Sequence, residues 1–94
     1  MEQVFEWDDN KAKLNLKKHG VSFEEAARVF DDPLARFEQD RHVDGEERWQ
    51  TLGAVKNMLI LVAHTMTKEN DCEVIRIISA RPANRHERRQ YEHR

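Results

Sequence analysis

Arg76, Arg81, Arg85, Arg88, Arg89 and Arg94 place six guanidinium groups in the last nineteen residues of the chain, and they are the residues whose type and spacing most suggest chemistry. Only Glu87 and Glu92 oppose them, so residues 76–94 carry a net charge of +4 while the whole chain carries −2, which leaves −6 on residues 1–75. A guanidinium stays charged at any physiological pH, and its fork of N–H donors fits a phosphate with two parallel bonds. Charge polarised in this way indicates a local anion site, because a protein that coats nucleic acid would be basic throughout. Arg76 interrupts the apolar run "VIRII" and Arg81 marks its exit. Arg76 is therefore expected to meet a carboxylate, or to point into a groove where a ligand anion replaces one. Arg85, Arg88 and Arg89 follow at helical spacing, and a plain solvated helix face is the competing interpretation for them.

Proton transfer has one candidate pair. If the last two apolar runs form a hairpin with the loop Thr67 to Asn70, Met66 faces Asp71, His64 faces Glu73, Val62 faces Ile75 and Ile60 faces Ile77. An imidazole beside a carboxylate has its tautomer fixed and its pKa held up, as a general acid or base requires. The alternative is an ordinary cross-strand ion pair at a hairpin end, and a loop one residue longer or shorter removes the pairing. His19, His42, His64, His86 and His93 include no pair at metal-binding spacing, and Cys72 has no second cysteine, so neither a metal nor any other cofactor is expected. Ser22 reads as a helix cap and Cys72 as a turn-edge residue, which leaves no nucleophile of that type.

The elements that must position these residues follow from period and punctuation. Ninety-four residues, 38% of them hydrophobic, suffice for one domain with one modest core. "VFEW" is a short strand, and Asp8 or Asp9 caps a helix that Gly20 stops, with Lys17, Lys18 and His19 in its last turn. Ser22 with Glu25 is a capping box, after which Phe23, Ala26, Ala27 and Phe30 form an apolar stripe on a second helix that Pro33 ends. Then "LARFEQD", "RWQTLGAV", "MLILVAHTM" and "CEVIRIISA" change to strand character, with short polar connections that imply antiparallel neighbours. Asn84 caps a final helix from Arg85 to about His93. The longest apolar run, Met58 to Ala63, is far too short to span a membrane, and the opening residues lack a signal-peptide pattern. Together with the lone cysteine this reads as a cytoplasmic protein.

Four separated stretches, "FEWDDNKAKLNLKKHGVSFEEAARVFDDP" (Phe5 to Pro33), "ERWQTLG" (Glu47 to Gly53), "LVAHT" (Leu61 to Thr65) and "IRIISARPANRHERRQYE" (Ile75 to Glu92), resemble the BrnT toxins of type II toxin–antitoxin modules. The departures are Asp9 where the family often has proline and Asn84 where it has a threonine cap. The resemblance implies an α+β, RelE-like fold: a short N-terminal strand, two helices, a curved antiparallel sheet of about four further strands and a C-terminal helix. It also implies a BrnA-like ribbon-helix-helix antitoxin through which the complex would contact operator DNA, with either a homodimer or a toxin–antitoxin heterotetramer as the assembly.

Joined to the residue chemistry, the resemblance implies a metal-independent endoribonuclease in which an RNA 2′-hydroxyl attacks the adjacent phosphate. Arg76 and Arg81 would stabilise the phosphorane, His64 oriented by Glu73 would move protons, and Glu47, Arg48 and Tyr91 are second choices. Arg48, Arg85, Arg88 and Tyr91 are the expected RNA-binding residues. Two other functions fit the same arginines: a non-catalytic module that docks an acidic partner or serves as a co-repressor subunit, and a direct DNA reader built on the basic helix.

Overall fold

The computed structural model describes residues 2–93; Arg94, one of the six clustered arginines, lies outside the described residues. β1 (Glu2–Glu6) leads into α1 (Asp9–His19) through Asp8, whose side chain accepts from the Lys11 N–H. Gly20 closes α1 at φ 73°, a left-handed conformation that suits glycine, and its N–H returns to the Leu16 carbonyl. α2 (Phe23–Arg28) begins at the Ser22–Glu25 capping box and runs into a 3-10 turn, Val29–Asp31. Then come β2 (Arg36–Val43), β3 (Glu46–Val55), β4 (Met58–Glu69), β5 (Cys72–Pro82) and α3 (Arg85–Glu92). The class is α+β, and the element order is the one expected from the sequence.

The five strands form one sheet in the order β1-β5-β4-β3-β2. All neighbours are antiparallel except β1, which pairs in parallel with β5 from Glu2 opposite Cys72 to Glu6 opposite Arg76. Alternation along each strand divides the sheet into two faces. The first carries Val55, Ile60, Val62, Ile75, Ile77 and Ala80, packed beneath Val21, Phe23, Ala26 and Val29 from the helical layer. Phe5 and Phe30, with ring centroids 5.3 Å apart, and Trp7 and Phe23, at 5.9 Å, seal its ends. On the second face Leu52, Leu59 and Leu61 form a smaller cluster with Ala54, Ala83 and Tyr91 where α3 lies across one end. The rest of that face is more open, with Gln50, Ala63, Arg76 and Ser79 half-buried and Arg36 and Glu38 exposed.

Where β1 ends, Asn15 continues its work. Beyond Arg76 the outer edge of β5 has no strand beside it among the described residues. There the buried Asn15 side chain donates to the Ala80 carbonyl at 2.8 Å, accepts from the Ala80 N–H at 3.1 Å, and donates to the Val21 carbonyl at 3.0 Å. One side chain thus satisfies the backbone groups that a further strand residue would have satisfied.

The β4–β5 hairpin departs from the sequence expectation. Its turn is the two residues Asn70 and Asp71, both left-handed at φ 51° and 64°, so the strands extend to Glu69 opposite Cys72. Asn and Asp tolerate that conformation, and consecutive positive φ values give the tight turn that matches strand twist. The expected loop of Thr67 to Asn70 is thereby replaced, and every pairing shifts: Lys68 faces Glu73, Met66 faces Ile75 and His64 faces Ile77. A further irregularity between Ala63 and His64 sets Ala63 opposite Ser79, Val62 opposite Ala80 and Ile60 opposite Pro82.

Candidate functional site

The open second face gathers the arginines in two groups. Leu61 of β4 lies opposite Arg81 and Thr65 opposite Arg76, so the two arginines are four β4 residues apart, about 13 Å along the sheet. Between them Gln50, Ala63 and Ser79 form an uncharged row, which ends at Glu38 on β2.

At the α3 end, Arg81 donates to both oxygens of Glu87, at 2.9 and 2.8 Å, and Nη1 also reaches the Pro82 carbonyl at 3.2 Å. Glu87 is fixed from a second direction, because the capping box of α3 joins its Oε1 to the Asn84 N–H and its own N–H to the Asn84 side chain. The fork-to-fork hydrogen bonds with Arg81 hold the Glu87 carboxyl below the usual carboxylate range, and the same bonds hold Arg81 above the usual guanidinium value. These contacts leave the Nε–H and one Nη2–H of Arg81 for a ligand. Beside the pair lies a cleft of about 240 Å³ lined by Arg36, Glu38, Gln50, Leu52, Leu61, His86, Glu87 and Gln90. Arg36 ties β2 to the end of α3 by donating to the Gln90 carbonyl at 2.7 Å.

At the other end, Arg76 donates to Glu46 at 2.6 Å and Arg48 stands 3.7 Å from the same carboxylate oxygen. The Arg76–Glu46 pair is about two-fifths exposed on both sides, which places its contribution near that of ordinary surface ion pairs, roughly 0–1 kcal/mol. The Nε atoms of Arg48 and Arg76 are buried without a hydrogen-bond partner. Arg76 thus meets a carboxylate, as its place in an apolar run required, but not in company with Arg81.

The expected acid–base pair of His64 and Glu73 is not formed. The register shift puts Glu73 opposite Lys68, four residues along the strand, and Glu73 accepts instead from Gln3. His64 lies on the first face, fully buried, with Nε2 2.7 Å from the Thr51 hydroxyl and Nδ1 3.2 Å from the Thr65 carbonyl. Phe30 packs edge-on against its ring at 4.9 Å. Burial pushes its pKa down to about 4, which outweighs the upward pull of the Thr65 carbonyl and of distant Glu73.

The remaining expected residues are dispersed. Tyr91 donates a short hydrogen bond to Asp32, whose Oδ2 also accepts from the Ala54 N–H at 2.8 Å, so this tyrosine anchors α3 to the turn before β2. Arg85 is exposed at the start of α3, and Arg88 lies in a shallow depression with Lys56, Asn57, Met58 and Tyr91, apart from the cleft that His86, Glu87 and Gln90 line. Glu47 accepts from Gln39 at 3.0 Å. Sequence reasoning overlooked Arg36, Glu46, His86, Glu87 and the clasp of Asn15. Only Glu87 had left a local signal, its position three residues after the Asn84 cap.

The family model for the ribonuclease toxin BrnT of type II toxin–antitoxin systems matches residues 7–87. No curated protein matches the chain. No helix among the described residues is long and apolar enough to cross a membrane.

Proposed function

The chain belongs to the BrnT family of ribonuclease toxins of type II toxin–antitoxin systems, and from that premise we propose that it cuts RNA on the open face of the sheet, without a metal, in the cleft beside Arg81. The observation that carries this reading is the Arg81–Glu87 pair, whose Glu87 lines that cleft together with Leu61, the residue opposite Arg81. Glu87 aims a guanidinium that still has two N–H donors to spare, and a preorganised donor acts where charge grows in the transition state. The arginines supply positive charge that a metal would otherwise bring.

In the step proposed, the 2′-oxygen bonds to the adjacent phosphorus while the bond from phosphorus to the 5′-oxygen breaks. The 2′-hydroxyl proton passes to a base, a proton reaches the departing 5′-oxygen, and the products are a 2′,3′-cyclic phosphate and a 5′-hydroxyl. His86 is the imidazole that lines the cleft, and imidazole is the side chain suited to proton exchange near neutral pH. His64, enclosed between Phe30 and Thr51 on the other face, serves the core in this reading.

The neutralising partner is proposed to be a BrnA-like antitoxin that covers Arg81 and α3, with the DNA contact left to that partner and the whole module in the cytoplasm. Purified chain incubated with RNA in EDTA tests the central claim. Discrete fragments ending in cyclic phosphate are expected; cleavage that stops on chelation and returns with Mg2+ would overturn the metal-independent mechanism.

A further inference from the structure

Arg48 and Arg76 share Glu46 as their ion-pair partner, while Glu6 stands opposite Arg76 on β1 without an ion pair to it. The buried Nε–H of Arg76 has no acceptor, and that of Arg48 has only Glu46 at 3.7 Å, too far for a hydrogen bond; such donors cost free energy until something supplies an acceptor. The ion pair that occupies the corner is partly exposed and weak, unlike the forked Arg81–Glu87 pair, whose carboxylate is only 14% exposed and is fixed by the capping box as well. An incoming anion can therefore displace Glu46 far more easily than Glu87. The corner lies about 13 Å from Arg81 across an uncharged row, so one phosphate held in place at Arg81 does not fill both groups.

We propose that Arg48 and Arg76 form a second phosphate subsite for single-stranded RNA, which holds a phosphate other than the one at Arg81, with Glu46 as the internal stand-in that the RNA displaces. The proposal rests on the ribonuclease reading and adds its footprint: a strand crosses Gln50, Ala63 and Ser79 with phosphates anchored at both ends. The phosphate clamp expected of Arg76 with Arg81 becomes two anchors along one strand.

Fluorescence anisotropy with labelled 2′-O-methyl oligonucleotides, which bind but cannot be cut, tests this. Against an octanucleotide, Arg48→Ala and Arg76→Ala should each weaken binding about tenfold, the loss expected for one charge-assisted contact. The salt dependence of log K should fall by about 0.7 for each phosphate contact removed. The loss should be larger for the octanucleotide than for a dinucleotide, which is too short to reach both anchors. Glu46→Gln should act in the opposite direction and tighten octanucleotide binding several-fold. Unchanged affinity and salt slope in both arginine variants would overturn the proposal, as would weaker binding by Glu46→Gln. Arginine variants that lose affinity for the antitoxin alone would also overturn it, by making the corner a protein-docking site. A parallel cleavage assay separates the two levels: a wild-type chain that shows this binding pattern yet cuts no RNA refutes the ribonuclease reading and keeps the subsite, while cleavage with a flat binding pattern does the reverse.

Discussion

Arg81 and Glu87 face each other through two parallel hydrogen bonds, Nη1 to Oε1 at 2.9 Å and Nη2 to Oε2 at 2.8 Å. Lysine keeps the charge of arginine and loses the fork, so Arg81→Lys separates geometry from charge. We expect that variant to remain folded and to cleave RNA about a hundredfold to a thousandfold more slowly, the usual loss when one aligned donor is removed. Single-turnover cleavage beside a thermal melt is the measurement; a wild-type rate in a folded Arg81→Lys would remove the fork from the mechanism.

His64 makes stability depend on pH. Its pKa in the fold is about 4, against 6.5 for an ordinary histidine, so the unfolded chain takes up a proton first as pH falls. Its contribution is therefore complete above about pH 6.5 and is lost progressively toward about pH 4, with roughly 3 kcal/mol at stake. Glu25, lowered by Ser22, and Glu87, lowered by Arg81, act in the same direction in a lower window, below about pH 4.5. Urea unfolding at several pH values should show the decline in the native protein and a flatter profile in His64→Gln; parallel profiles would count against this assignment.

Asn15→Leu keeps the approximate volume and removes all three hydrogen bonds to Ala80 and Val21. The backbone groups of Ala80 are left buried and unpaired, at a cost of about 1–3 kcal/mol each. Because Ala80 adjoins Arg81, cleavage should fall along with stability. Denaturant titration and a cleavage assay below the melting transition would check both effects, and an Asn15→Leu variant as stable as the native chain would contradict the clasp.

Gly53 allows the 3-10 turn to rest on β3. A Cβ there would stand 2.8 Å from Val29 Cγ1 and 3.1 Å from the Val29 carbonyl oxygen. The fully buried Val29 side chain has to shift and its carbonyl to give by a few tenths of an ångström, so Gly53→Ala is expected to destabilise by about 1–3 kcal/mol, as overpacked cores do. An unchanged urea midpoint would mean that the turn yields more freely than this contact implies.

Much of the fold was legible because its signals are local. Asp8, Gly20, the Ser22–Glu25 box and Asn84 each mark a helix end with their own side chain or backbone, and apolar runs mark the strands. The site was less legible because it depends on register. Asn70 and Asp71 are compatible with a longer loop or a two-residue turn, and that choice decided whether His64 met Glu73 or Ile77. The partners Glu46 for Arg76 and Asn15 for Ala80 lie 30 and 65 residues away in sequence, and no spacing rule reaches that far. The parallel seam of β1 with β5 was hidden for the same reason, since two helices and three strands intervene.

That seam sets the order in which the molecule can be completed. Gln3 meets Glu73 across 70 residues, and β5 must also find β4 before the helices have a full floor to pack on. Contacts of such span carry a large loop-closure entropy and slow the search for the native state. During synthesis the first seventy residues can form α1, α2 and the β2–β4 meander, but the strand that bears Arg76 and Arg81 is among the last to emerge. The strand that bears Arg76 and Arg81 therefore takes its place only when β1, from the other end of the chain, and β4 are both there to flank it.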